Sequence, residues 1–171
     1  MSKAIGMVEY KTVSAGITAA DAMVKTSEVS IIEAQTVCPG KYIVIITGDL
    51  SAVTSAVDNA KTMHGKHLIN SFVLGNPHES IFPAIYGAAE IKDVSALGII
   101  ESYDASSIIV DLIEVRLARG MCGKSYLMLT GEVAAVEAAI DRAKEAVSDD
   151  GMYLDSAVIA HPDAQIRDAI L

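Results

Sequence analysis

The sequence predicts an α/β (α+β) sandwich built twice along one chain, and three observations carry that expectation. Blocks of residues return in the same order, strand-like and helix-like stretches alternate inside each copy, and the second copy departs from the first at one conspicuous place. Ala4-Ile5-Gly6-Met7-Val8-Glu9 returns as Ala96-Leu97-Gly98-Ile99-Ile100-Glu101. Gly40-Lys41 and the later Thr47-Gly48-Asp49-Leu50-Ser51-Ala52-Val53 return as Gly123-Lys124 and Thr130-Gly131-Glu132-Val133-Ala134-Ala135-Val136. Asn76-Pro77-His78-Glu79-Ser80-Ile81 answers to His161-Pro162-Asp163-Ala164-Gln165-Ile166. Repetition at this period means a duplicated domain, and the expected halves are residues 1–90 and 94–171. A duplicated domain carries approximate internal two-fold symmetry, which suits a part that tiles or closes into a ring.

The elements of the first half can be justified in order. Ala4 to Tyr10 has the apolar, β-branched character of a strand. Ile17, Ala20, Met23 and Val24 recur at helical spacing between about Ala15 and Thr26. Val29 to Val37 reads as a second strand, broken by the turn chemistry of Cys38-Pro39-Gly40. Lys41 to Thr47 is a nearly continuous apolar run that suits a buried central strand, ended by Gly48. Asp49 or Ser51 is expected to cap the next helix, whose apolar face is Val53, Ala56, Val57 and Ala60. Leu68 to Leu74 is the last strand, and Pro77 is expected to open a short helix near Pro83 and Ile85. Alternating strands and helices on one sheet imply helices covering a face.

In the second half, twenty-two residues separate Glu101 from Lys124, where thirty-one separate Glu9 from Lys41. The missing nine fall at the first helix, so at most a turn or two fits before Asp111 to Leu117, read as the second strand. Val133 to Val147 is the clearest amphipathic helix of the chain.

Composition excludes several functions. A chain of 171 residues with net charge -9 and only thirteen Lys and Arg lacks the basic face that nucleic acid requires. No basic run serves a membrane surface, and apolar runs such as Tyr42 to Ile46 are far too short to span a bilayer. No charged n-region and apolar h-region open the chain, so no secretory signal is expected. Two cysteines without an export signal read as cytosolic thiols or metal ligands. The expected class is a soluble, acidic, cytosolic protein.

Motifs for catalysis fail on inspection. Gly120-Met121-Cys122-Gly123-Lys124-Ser125 lacks the first glycine of a phosphate-binding loop, which is Ala118 here, and it feeds a strand rather than a helix. His64 and His67 read as solvated loop histidines. Asp21 and Glu28 have no His or Ser arranged beside them as nucleophile and base. No enzyme is expected.

The ordered blocks Ala4 to Glu9, Ala20-Asp21-Ala22-Met23-Val24-Lys25 and Gly48-Asp49 before Ala52-Val53 resemble the bacterial microcompartment shell domain. Two copies in tandem resemble its trimer-forming proteins, and Cys38-Pro39-Gly40-Lys41 resembles the PduT-type members. The resemblance implies two shell domains, each a small, mainly antiparallel sheet flanked by helices, with the first helix of the second copy shortened. It implies a non-enzymatic homotrimer forming a pseudohexameric disc. Such a disc tiles edge to edge with other shell proteins around an organelle in the bacterial cytoplasm. Lys25 matches the lysine at the disc's edge and is assigned to lateral assembly on that basis; on residues alone it is a helix C-terminal lysine favoured by the macrodipole.

The same resemblance puts the loop between second and third strands of each copy on the axial pore. Cys38, Pro39 and Gly40, with Met121, Cys122 and Gly123, are then pore-lining. One cysteine is otherwise read as a small buried hydrophobe. On a three-fold axis it appears three times, and likeness to the PduT type implies a [4Fe–4S] cluster held by Cys38 of three chains. Cluster ligands are usually thiolates. The cluster would pass electrons across the shell, in exchange with a redox cargo enzyme, or be carried through it. Cys122, one residue out of register with Cys38, is an extra ligand or redox partner or, as the favoured reading, a packed loop residue. The alternative function is a non-tiling trimer of similar fold that binds a small molecule or transfers electrons.

Overall fold

The computed structural model describes residues 3–86, 94–102, 116–117, 124–148 and 151–170. The chain divides into two compact units, Met1–Pro77 and His78–Leu171.

The first unit holds β1 (Lys3–Tyr10), α1 (Val13–Thr26), β2 (Val29–Val37), β3 (Lys41–Asp49), α2 (Leu50–His64) and β4 (Leu68–Gly75). The strands form one sheet in the order β2-β3-β1-β4, antiparallel at each pairing. The apolar runs became strands because both the β1 and β3 sequences must lie in the middle of that sheet. Alternate residues of β1 face opposite sides. Ala4, Val8 and Tyr10 join the core under the helices, and Ile5 and Met7 on the other side are also buried.

Helix α1 starts where Thr12, in an extended conformation, accepts a hydrogen bond from the Ala15 N–H at 3.4 Å. It ends as Ser27 turns extended and its N–H donates to the Met23 carbonyl oxygen at 3.3 Å. Its buried face is Ala15, Gly16, Ala19, Ala20 and Met23, small residues that let it lie close to the sheet; Ile17 and Val24, read from the sequence with Ala20 and Met23, are instead exposed. Helix α2 buries Val53, Ala56, Val57 and Ala60, the four positions its periodicity predicts. Each buried valine contributes about 1.5–3 kcal/mol of transfer free energy.

Three expectations need correction here. Asp49 stands at the N-cap of α2 and is also the last residue of β3, in register with Lys3, but its side chain makes no cap hydrogen bond. Ser51 already lies within the helix. His64 is not a solvated loop residue: it is the last residue of α2, its Nε2 is buried, and its ring meets the Tyr10 ring edge-on at 6.1 Å. His67 is exposed, as expected.

The second unit holds α3 (Ile81–Ile85), β5 (Ala96–Ser102), β6 (Arg116–Leu117), β7 (Ser125–Gly131), α4 (Val133–Ser148), β8 (Tyr153–Ala160) and α5 (Ala164–Ile170). Its sheet order, β6-β7-β5-β8, repeats that of the first unit strand for strand. Helix α4 buries Val136, Ile140, Ala143 and Val147, the pattern of an amphipathic cover. Helix α3 begins at Ile81 rather than at Pro77, because His78, Glu79 and Ser80 first make a turn in which the Ile81 N–H donates to the His78 carbonyl oxygen at 3.1 Å. It lies against β6. The expected short helix before β6, and residues 111–115 of the strand expected there, fall outside the described residues.

Candidate functional site

Strands β2 and β3 are joined by a three-residue turn. Val37 and Lys41 are the last register partners, leaving Cys38, Pro39 and Gly40 at the tip. Glycine is needed here: Gly40 has φ +84°, a left-handed conformation that costs any residue with a Cβ. Its N–H donates to the Val37 carbonyl oxygen at 3.0 Å and closes the turn. A three-residue hairpin loop with a left-handed glycine is a favoured connection of antiparallel strands. The Cys38–Pro39 peptide is cis.

Cys38 is exposed and free. Apart from its two chain neighbours, no described atom lies within 4 Å of where a Cβ on Gly40 would stand, and Cys38, Pro39 and Gly40 are all exposed. At its foot, the Lys41 Nζ donates to Glu9 Oε1 at 3.0 Å, both groups largely covered. That pair ties the start of β3 to β1 just below the turn. Sequence reasoning did not single it out, although Glu101 and Lys124 repeat the same two residue types at the matching places.

Cys38, Pro39 and Gly40 are therefore together at one tip. Met121, Cys122 and Gly123 lie outside the described residues. Lys25 is elsewhere, in the last turn of α1, with its side chain 72% exposed and its Nζ 2.6 Å from Asp21 Oδ2 one turn back.

Among the described residues of one chain, no group of three or more His, Cys, Asp and Glu is placed to hold a metal ion. Cys38 offers a single soft sulfur donor. An uncovered thiol on a projecting turn fits a ligand set shared between chains, because each copy brings one sulfur without rearranging its core. Among the same residues, no helix is long and apolar enough to cross a membrane.

The BMC domain profile matches residues 4–77 and again residues 96–162. The chain belongs to the BMC domain family. It is 34% identical to the bacterial microcompartment shell protein PduT of Citrobacter freundii, over 95% of this chain and 94% of that one. The carboxysome shell protein CcmK2 of Thermosynechococcus vestitus is 34% identical over 85 residues, 47% of this chain and 83% of that one. A crystal structure of a microcompartment protein from Desulfitobacterium hafniense DCB is 40% identical, covering 98% of this chain and 99% of that one, with a TM-score of 0.90. With two BMC domains in tandem, the chain is a structural shell protein of a bacterial microcompartment, and its curated relatives are named as shell proteins rather than enzymes. The α/β architecture with antiparallel sheets agrees with the expectation from the repeat.

Proposed function

We propose that three copies of this chain form a pseudohexameric disc whose axis is ringed by the two β-turns of each copy. In this reading Cys38 of the three chains holds a [4Fe–4S] cluster. The observation that carries the reading is the exposed Cys38 thiol at the exposed tip of the β2–β3 hairpin. Three-fold symmetry turns that single donor into three. Likeness to the shell protein PduT over nearly the whole chain supports its place in a shell disc.

The protein's share of the chemistry is positional. The glycine turn fixes where the Cys38 sulfur points, the Lys41–Glu9 pair holds the foot of the hairpin, and the rigid sheet behind keeps three sulfurs at one spacing. A bound iron–sulfur cluster supplies one-electron transfer, here across the shell to or from a redox cargo enzyme, or is itself the cargo passed through the opening. Pro39, Gly40, Met121, Cys122 and Gly123 line the same opening. Lys25, exposed on the last turn of α1, meets the edge of a neighbouring disc and so joins this protein to other shell proteins.

Anaerobic purification tests the metal assignment. The expected product is brown, with about three to four irons per trimer, and Cys38→Ser loses both colour and iron while remaining trimeric. A colourless, iron-free wild-type protein after anaerobic preparation and reconstitution overturns it.

A further inference from the structure

The Cys38 turn closes a hairpin whose last rung runs past the neighbouring strand. The β1–β3 ladder ends where Tyr10 stands opposite Tyr42, whereas the β2–β3 ladder goes on to Val37 and Lys41. Beyond Tyr42, β3 therefore has only β2 beside it in the sheet, and an unsupported two-stranded ribbon is marginal. Successive residues of β3 point to opposite faces, and just below the turn both faces are tied down.

On one face, the Lys41 Nζ donates to Glu9 Oε1 at 3.0 Å. Glu9 stands opposite Ile43, so Lys41 is its diagonal neighbour and within reach of a long side chain. On the other face, Tyr42 sits against the backbone of α1. A Cβ on Gly16 would stand 2.5 Å from Tyr42 Cβ and 2.6 Å from Tyr42 Cγ, so Gly16 is the notch that seats the ring. The described residues of the second copy have neither tie. Ser102 and Ser125 are register partners where Tyr10 and Tyr42 are, with their hydroxyl oxygens 3.4 Å apart and no ring to seat on a helix. Lys124 is exposed, and the ion pairs among the described residues are Lys25–Asp21, Lys41–Glu9 and Lys61–Asp58. Glu101 and Lys124 thus repeat the residue types without making the bond.

We infer that Tyr42, seated on Gly16, and Lys41, paired with Glu9, are positioning residues for the Cys38 thiol. Held on both faces, the foot of the hairpin fixes the tilt of the turn, so the sulfur keeps one place instead of sweeping an arc. A site shared between chains gains most from this. Sulfurs brought by separate chains have to meet at one spacing, and ligands fixed in advance lose less freedom on binding. The inference rests on the proposal that Cys38 is a metal ligand, and it adds which residues aim that ligand.

A nitroxide on Cys38 of the whole chain carrying Cys122→Ser reads the turn without any metal, and sparse labelling keeps the labels of neighbouring copies apart. The expected result is a restricted label in this parent and motion at least about twofold faster in Lys41→Gln and in Tyr42→Ser. Restriction should return in the charge swap of Glu9→Lys with Lys41→Glu, and persist in Tyr42→Phe, which keeps the ring. Iron bound by the unlabelled variants after anaerobic reconstitution should fall and recover in the same order. Equal label motion in every variant overturns the positioning role and leaves the metal reading standing wherever the wild type binds iron. Faster label motion with unchanged iron also overturns it, because the ties then hold the turn without serving the site. An iron-free wild-type protein overturns the metal reading itself, whatever the label does, so the two failures are told apart. Circular dichroism checks each fold, and where Tyr42→Ser fails to fold, Lys41→Gln and its charge swap decide the question on a partly exposed pair.

Discussion

Gly6 and Gly98 occupy the same position in their two sheets, and each is pressed by the equivalent pair of helical side chains. A Cβ on Gly6 would stand 2.7 Å from Val53 Cγ1 and 2.8 Å from Val57 Cγ2. On Gly98 it would stand 2.8 Å from Val136 Cγ1 and 3.0 Å from Ile140 Cγ1. Their register partners, Ile46 and Leu129, are also equivalent. The glycine is what lets α2 and α4 approach the central strand, so Gly6→Ala and Gly98→Ala should each destabilise the protein by about 1–3 kcal/mol through overpacking. Urea unfolding followed by circular dichroism measures this; unchanged midpoints would mean the helices retreat at no cost.

Tyr10 links stability to alkaline pH. It is fully buried, its hydroxyl donates to the Ala60 carbonyl oxygen at 2.8 Å, and burial pushes its pKa from 10.0 to about 12. The phenolate is therefore disfavoured only in the folded state. This contribution is fully present below pH 10 and is lost as pH rises from 10 through 12, amounting to about 2–3 kcal/mol. In Tyr10→Phe that part of the alkaline loss should vanish, while stability at pH 7 falls by about 1 kcal/mol with the hydrogen bond. Denaturation curves between pH 8 and pH 12 compare the two proteins.

Lys25 separates assembly from stability. Its ion pair with Asp21 is exposed, and such pairs contribute about 0.3–0.5 kcal/mol on a helix. On the proposed assembly, Lys25→Ala should leave the melting temperature and the proposed trimer nearly unchanged and weaken ordered two-dimensional sheets in electron micrographs. Sheets of normal extent would remove Lys25 from the lateral contact.

Gly40 tests how far the turn matters to the proposed metal binding. Gly40→Ala must hold a left-handed φ of +84°, at a cost of about 1–2 kcal/mol, although no described atom obstructs the added methyl. On the proposed cluster, iron content per chain should fall below that of the wild type while the rest of the fold persists, measured by iron assay beside circular dichroism.

Much of the fold was legible before any coordinates. Each sheet needs the same apolar strand with a glycine at its middle and the same valine-bearing helix above it, so the repeat of Ala4 to Glu9 and of Thr47 to Val53 is a record of packing. Turn chemistry located Cys38, Pro39 and Gly40 correctly at a hairpin tip. The misreadings were local. Asp49 had the composition of a cap and stands at the N-cap, yet its side chain makes no cap hydrogen bond. His64 had the polarity of a surface residue, yet the last turn of α2 carries its Nε2 under cover beside Tyr10. The Lys41–Glu9 pair went unnoticed because its two residues are distant in sequence and only the β1–β3 pairing brings them together.

The sequence by itself determined the duplication, the order of strands and helices, and which residues of α2 and α4 seek cover, because periodicity and turn residues are local properties of the chain. Tertiary structure decided where that cover is found. Ile81 and Ile166 stand at matching places after similar turns, and Ala and Ile follow each at the third and fourth positions, yet one is buried and the other exposed. An apolar face states only that it must leave water; which surface receives it depends on what the folded chain brings within reach.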